Sequence, residues 1–390
     1  MERYCDDILQ YFIDDVKVRE HWYKARYYIM NVLRPLDGHA IGYDSGKRMH
    51  VVVKWQFNKE DDKLLMLAVV RQICLLFHFP NYDEENGCNR TRITILASRE
   101  ADVAAAYDDM RSYPYLGGLL DYCKCEVDGD PNREHEEVLP LDVEFVFKTG
   151  EEKGAKDDIV IAIDPKDVVA GIKDFSEEYM KFDVTKGMLV SMVYNTGVEI
   201  DNLPANDNAN INRYSTALNV FCYKLKPDLI QKKWDESAKR RDDGTYDEVS
   251  IKNKLSSVFC ADCFEPRIRS LFDKEQKALS EYILMSFREV MEKISEEKTI
   301  TAFAKCEHAR WNVEKLILGF KPLTMQDWYE IERRFGKERN DFIKGKKKKG
   351  WHIDLCSYKN LRRVNPADMK YDYFLMLAMP QILRSYLLSK

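Results

Sequence analysis

The sequence predicts an α/β domain with a mostly parallel sheet, followed by a mostly α-helical C-terminal domain, and three observations carry this reading. Between residues 48 and 225, short β-branched runs alternate with amphipathic segments of helix length, the pattern of βαβ units around a parallel sheet. From about Tyr214 onward the β signal disappears and the apolar spacing becomes helical. With 390 residues, 45% of them apolar and 12% aromatic, the chain suits two or three cores, since domains commonly run to about 100–200 residues.

The elements follow in order. Residues 1–47 read as a helical arm, with Ile8, Phe12, Val16, Trp22, Tyr23, Tyr27, Tyr28, Met30 and Val32 at roughly helical spacing. A strand at 50–55 leads into a long helix at 61–79, followed by a strand at 92–96 and an alanine-rich helix at 100–110. Further strands are expected at 122–127, 141–147 and 158–163, then a helix at 165–180 and a strand at 188–194. Residues 48–225 thus read as a Rossmann-like α/β domain. Helices at 215–229, 251–258 and 274–294, interrupted by a polar connection at 232–247, make 226–300 a helical connector, and 301–390 form the C-terminal domain.

The net charge of −5 gives no general attraction to a nucleic-acid backbone. The apolar run at 64–70 is far too short to cross a bilayer. The acidic start, with Asp6, Asp7, Asp14 and Asp15, lacks the basic region of a secretory signal. These features lead to the expectation of a cytoplasmic protein that uses neither nucleic acid nor membrane. Ten scattered cysteines read as reduced thiols. The lone CxxC of Cys260 and Cys263 would need Cys123 and Cys125 beside it to hold zinc, and buried thiols are the favoured reading.

A dinucleotide site needs glycines between first strand and first helix, so that the backbone can approach a pyrophosphate. The corresponding loop, 54–61, contains none; Trp55 and Phe57 obstruct it, and Glu60 and Asp61 oppose a phosphate at the helix start. The domain therefore reads as degenerate, with no resident cofactor expected. Arg99 and Glu100, after the second strand, stand where a ribose- or phosphate-reading residue would lie, although Ser98 as a helix cap explains the same residues. No nucleophile or base stands out. Asp164 and Glu144 are the least poor catalytic candidates, and a strand-end acid is commonly just a cap.

A richer constellation lies in the helix expected at 306–320, ended by Gly319 and Pro322. His308, Trp311 and Lys315 fall on one face, with Glu307, Arg310 and Glu314 in the adjacent stripe. Such a face can stack an adenine on Trp311 and hold a phosphate or ribose with His308, Arg310 or Lys315. It can equally be the core of a small helical domain, with the histidine satisfied by an acid.

The series Glu307, His308, Trp311, Lys315, Gly319, Phe320 resembles the EHxxWxxxKxxxGW opening of the ryanodine-receptor repeat (RyR) domain. Trp351, His352 and Leu355, with Tyr358 and Leu361, resemble that family's HPxLxPYxxL stretch, and Tyr371-Asp372 its closing YD. Phe320 replaces the usual second tryptophan, and Ile353 and Ser357 replace two prolines. The resemblance spans residues 301–385 and implies a small, mostly helical module, found in pairs in calcium-release channels and singly in bacterial and phage proteins, often after a Rossmann-like region. It further implies non-catalytic binding of a nucleotide-derived, adenine-containing small molecule, perceived or sequestered in anti-phage signalling. Glu307, His308, Arg310, Trp311, Lys315, Trp351, His352 and Tyr358 are the candidate ligand contacts. The lysine run at 346–349 reads as a solvated loop, and a homo-oligomer is an open expectation.

Overall fold

A computed structural model describes residues 16–34, 39, 41–130, 133, 139–176, 256, 258–272, 283, 284 and 286–389. The strand expected at 188–194, the helix at 215–229, the connection at 232–247, and most of the helix expected at 251–258 lie outside the described residues.

The β-branched runs form the strands. Strands β1 (Arg48–Trp55), β2 (Thr91–Ala97), β3 (Lys124–Val127), β4 (Val143–Thr149) and β5 (Asp158–Ile163) build one sheet in the order β3-β4-β2-β1-β5, with every pairing parallel. The chain thus contains an α/β fold with a parallel sheet. Central β1 is buried on both faces from Met49 to Val53, which explains why Val51, Val52 and Val53 read as an uninterrupted apolar run. At the edge, β5 leaves Val160 41% exposed. Without the short edge strand β3, the order β4-β2-β1-β5 matches the 3-2-1-4 part of a standard doubly wound sheet.

Around the sheet lie α1 (Val16–Tyr27), which continues into a π-helical turn at Tyr28–Leu33, α2 (Glu60–Leu76), α3 (Glu100–Ser112), α4 (Gly117–Leu120) and α5 (Pro165–Gly171). Helix α1 packs on α2, and α3 packs on β2 and β4. The expected cap at Ser98 is corrected: Arg99 occupies the cap position of α3 without a capping side chain, its guanidinium forked onto Asp102. The Asp164 cap is present, its carboxylate accepting from the Lys166 amide.

The C-terminal part holds α6 (Phe264–Ser270), α7 (Phe287–Ile294), α8 (Glu297–Ile317), α9 (Met325–Glu332), α10 (Gly336–Lys348), α11 (Tyr358–Val364) and α12 (Met369–Ser389), with a two-stranded parallel pair, β6 (Lys321–Pro322) and β7 (Trp351–His352). The lysine run is corrected from loop to helix: Lys346, Lys347 and Lys348 form the last turn of α10, where cations suit the helix dipole.

Helix α8 unites two cores. Its first half, through Ile300 and Phe303, packs with Phe264 and Ile268 of α6, Val290 of α7 and Leu375 and Met379 of α12. Its second half, through Val313, Leu316 and Ile317, joins the apolar cluster of Val51, Val53, Ile73 and Phe145 that includes the central strands. The helix therefore runs through the expected boundary at 301 and packs on α2 and α4.

The two ends of the sheet differ. At the amino ends of the strands, Arg48 forks onto Asp158, His50 bridges Asp158 and Thr94, and Glu144 accepts from Arg92 at 2.6 Å. This places Glu144, with 5% exposure, in an ion-pair belt rather than a cleft. At the carboxyl ends, Asp164 accepts from Lys54 at 2.8 Å.

Gly118 shows how closely α4 meets α8: a Cβ there would lie 2.6 Å from the Leu316 carbonyl oxygen. Backbone cannot yield as a flexible side chain does. Gly118→Val is expected to destabilise the fold by about 1–3 kcal/mol in urea denaturation, and an unchanged midpoint contradicts this seating of α8.

Candidate functional site

The candidate site grows from α8, whose charged stripe is buried. Glu307, 1% exposed, accepts from Arg267 of α6 at 2.6 Å and from Arg310 through a forked pair at 2.8–3.0 Å. Arg310 also donates to Glu314 at 2.6 Å, and Glu314 accepts from Lys315 at 2.7 Å and from the Ser256 hydroxyl at 2.9 Å. Cations and anions thus alternate along Arg267, Glu307, Arg310, Glu314 and Lys315. Burial raises the Glu307 carboxyl, but the two guanidiniums outweigh it and hold the group down at about 2.

Beside this ladder lies an aromatic cluster that joins residues distant in sequence. His308 stacks on Trp311 with centroids 6.1 Å apart and planes at 13°. His352 of β7 meets Trp311 edge-on at 4.9 Å and Phe320 at 5.7 Å, and Tyr358 of α11 meets His308 at 5.6 Å. The Lys315 ammonium sits 5.4 Å from the Trp311 centroid, a cation–π arrangement. Trp311 remains partly exposed and packs against the cluster containing the central strands. Trp351 stands one position from His352 in β7, with the ammoniums of Lys321 and Lys346 at 5.8 and 5.6 Å from its ring.

His308 is positioned by α11 and α12. Its Nε2 lies 2.9 Å from the Cys356 carbonyl, which only accepts, so Nε2 carries the proton and Nδ1 faces Asp372 at 3.7 Å. Burial pushes the His308 pKa down to about 4, and burial together with the neighbouring Glu307 charge keeps the Asp372 carboxyl well above its ordinary range. At neutral pH the His308 ring is therefore uncharged. Helix α11 is held in turn by the α/β part: Glu84 accepts from the amides of Tyr358 and Lys359 at its first turn.

His308, Trp311, Lys315, His352 and Tyr358 are therefore brought into one cluster, Trp351 lies at its edge, and Glu307 and Arg310 lie in the ladder behind it. Arg99 and Glu100 are exposed at the start of α3 and make no recorded contact with this cluster. Two acids were not singled out from sequence. Asp372 was visible only as part of a motif. Asp354, mostly buried beside Asn365 and Asp368, is pushed up to about 6 by burial, and nothing in its local pattern signals that. The four cysteines of the two pairs are core residues: Cys123, Cys125, Cys260 and Cys263 are buried, and Cys263 donates to the Leu75 carbonyl at 3.1 Å. Among the described residues, no helix is long and apolar enough to cross a membrane.

Comparison with family models, with curated proteins and with solved structures returns no match.

Two outcomes test this geometry. Glu307→Gln takes from buried Arg267 its carboxylate partner and from Arg310 one of its two, and is expected to cost about 3–5 kcal/mol in chemical denaturation; a loss below about 1 kcal/mol contradicts the ladder. His308, whose folded pKa is depressed, contributes stability that is present above pH 6.5 and lost as pH falls through 4. Asp354 has the opposite sign, its contribution being present below pH 3.8 and lost as pH rises through 6. Imidazole proton shifts are expected to put the His308 midpoint near 4, and a midpoint near 6.5 contradicts its burial.

Proposed function

We propose that the chain is a non-catalytic protein that senses or sequesters a nucleotide-derived, adenine-containing small molecule through the Trp311 cluster, and that residues 301–390 are an RyR domain of bacterial or phage type following a degenerate Rossmann-like domain. The observation that carries the reading is the position of Trp311. It is a partly exposed indole packed against the core that holds the central strands, with an ammonium over its ring and two imidazoles against it.

An adenine ring takes the place on Trp311 that the Lys315 ammonium occupies, and Lys315 turns to the phosphate. Base–indole stacking contributes about 1–3 kcal/mol. Glu307 and Arg310 act behind the site, fixing α8, rather than as direct contacts. His308 and His352 pack against the indole and hold it in place for stacking. A role in bacterial anti-phage signalling belongs to the same reading and rests on the resemblance of the C-terminal motifs.

The second reading is a protein-docking module or homo-oligomer. It is favoured by Met325, Phe335 and Tyr329, which are 85%, 80% and 54% exposed on and just after α9. An enzyme of the α/β domain has less behind it, since Asp164 and Glu144 are both committed to structural partners.

The test is thermal denaturation of the full chain against mono-, di-, cyclic and ADP-ribose-type nucleotides. A ligand at ~100 times its dissociation constant is expected to add about 2.7 kcal/mol, and for every ligand but the monophosphates the gain disappears in a still-folded Trp311→Ala variant. If no nucleotide stabilises the protein, the binding reading fails, and a concentration-dependent increase in mass by light scattering then supports docking.

A further inference from the structure

A cleft of about 470 Å³ opens at the carboxyl ends of β1 and β5, between the β1–α2 loop and α5. Its size lies within the range of about 300–1,000 Å³ typical of small-molecule sites. In the doubly wound order β4-β2-β1-β5 this is the place where the chain proceeds from β1 to β2 on one flank while β5 lies on the other. Loops diverge there, and open α/β sheets commonly bind ligands at that point.

The chemistry of the walls is specific. Lys166 within α5 and Lys173 just beyond its end both border the cleft, with Val169 and Ala170 between them. Both lysines are exposed, and neither forms a salt bridge among the described residues. Lys54 adds a third ammonium, bound to Asp164. Across from them, Gln56 and Asn58 supply uncommitted amides and Phe57 an aromatic wall, held edge-on against Trp55 at 4.7 Å. Asp62 is the remaining lining acid.

Three ammoniums against two carboxylates favour an anion, and the distribution says where it sits. The start of α2 carries Glu60, Asp61 and Asp62, which repel a phosphate, so the anion belongs on the α5 side. Helix α5 itself is fixed: a Cβ on Gly171 would lie 2.9–3.0 Å from Val32 and Tyr28 of the π-helical turn.

We propose that this cleft is a binding site for a phosphate monoester of mononucleotide size, its phosphate held by Lys166, Lys173 and Lys54 and its flat ring laid between Phe57 and Val169. Asp62, Gln56 and Asn58 then face the sugar hydroxyls. Recognition by lysine side chains takes the place of the backbone-amide cradle that the glycine-free loop cannot provide. The site is separate from the Trp311 cluster and does not depend on it.

The experiment is calorimetric titration of the full chain at low salt with adenosine 5′-monophosphate and with adenosine. Two variants accompany the wild type: Lys166→Glu/Lys173→Glu, which alters only exposed side chains, and Trp311→Ala. The wild type is expected to bind the monophosphate at least about tenfold more tightly than adenosine, and the double charge reversal to lose about tenfold or more, while Trp311→Ala leaves this binding intact. Absence of monophosphate binding, equal affinity for adenosine, or unchanged affinity in the double variant overturns the proposal. Monophosphate binding that is lost in Trp311→Ala but kept in the double variant also overturns it, and assigns the nucleotide to the C-terminal cluster instead.

Discussion

Glu307 is the group on which the C-terminal half depends. A carboxylate with 1% exposure is tolerated because Arg267 and Arg310 both donate to it. Taking such charges out of water costs several kcal/mol per ion, and only close, multiple hydrogen bonds offset that. The pairing therefore specifies geometry more than it adds stability. It fastens α6 to α8 at one register, and through Arg310, Glu314 and Lys315 it extends that register to the face where Trp311 and His308 stand. The cluster is pre-organised by charges lying behind it, which is how a small site on helices achieves precision.

The same helix ties the two halves together. Val313 and Leu316 sit in the apolar cluster of the central strands, Gly118 lets α4 approach the α8 backbone, and Glu84 of the α/β part caps α11 beneath His308 and Tyr358. In the proposed reading a ligand seated on Trp311 bears on α8, the helix that packs into both cores. The sheet divides its own labour: the amino ends of the strands are closed by the Arg48, Asp158, Arg92 and Glu144 belt, while the carboxyl ends stay open beside α5.

Sequence patterns revealed the strands because burial on both faces leaves an apolar run with no polar interruption, as in Val51, Val52 and Val53. They also placed His308, Trp311 and Lys315 on one helix face, where spacing alone decides. What they left out depends on contacts distant in the chain. Glu307 and Arg310 read as an accessible stripe because Arg267, the distant partner of Glu307, lies 40 residues upstream, and burial of an ion pair has no local signature. The lysine run read as a loop because charge density dominates its composition, whereas the Lys346–Asp327 pair and the packing of Phe342 anchor it as helix. The cleft beside α5 has no local signature for a different reason: Lys166 and Lys173 lack the glycine pattern by which a phosphate loop shows itself in sequence.

The most direct measurement of the central claim is hydrogen–deuterium exchange on the full chain with and without saturating adenine nucleotides. The account predicts slowed exchange at residues 308–320 and 351–361, where Trp311, Lys315, His352 and Tyr358 meet, with a smaller effect at the Glu84 loop, in addition to any protection of the α5 cleft by a monophosphate. Unchanged exchange across those segments with every nucleotide would contradict it.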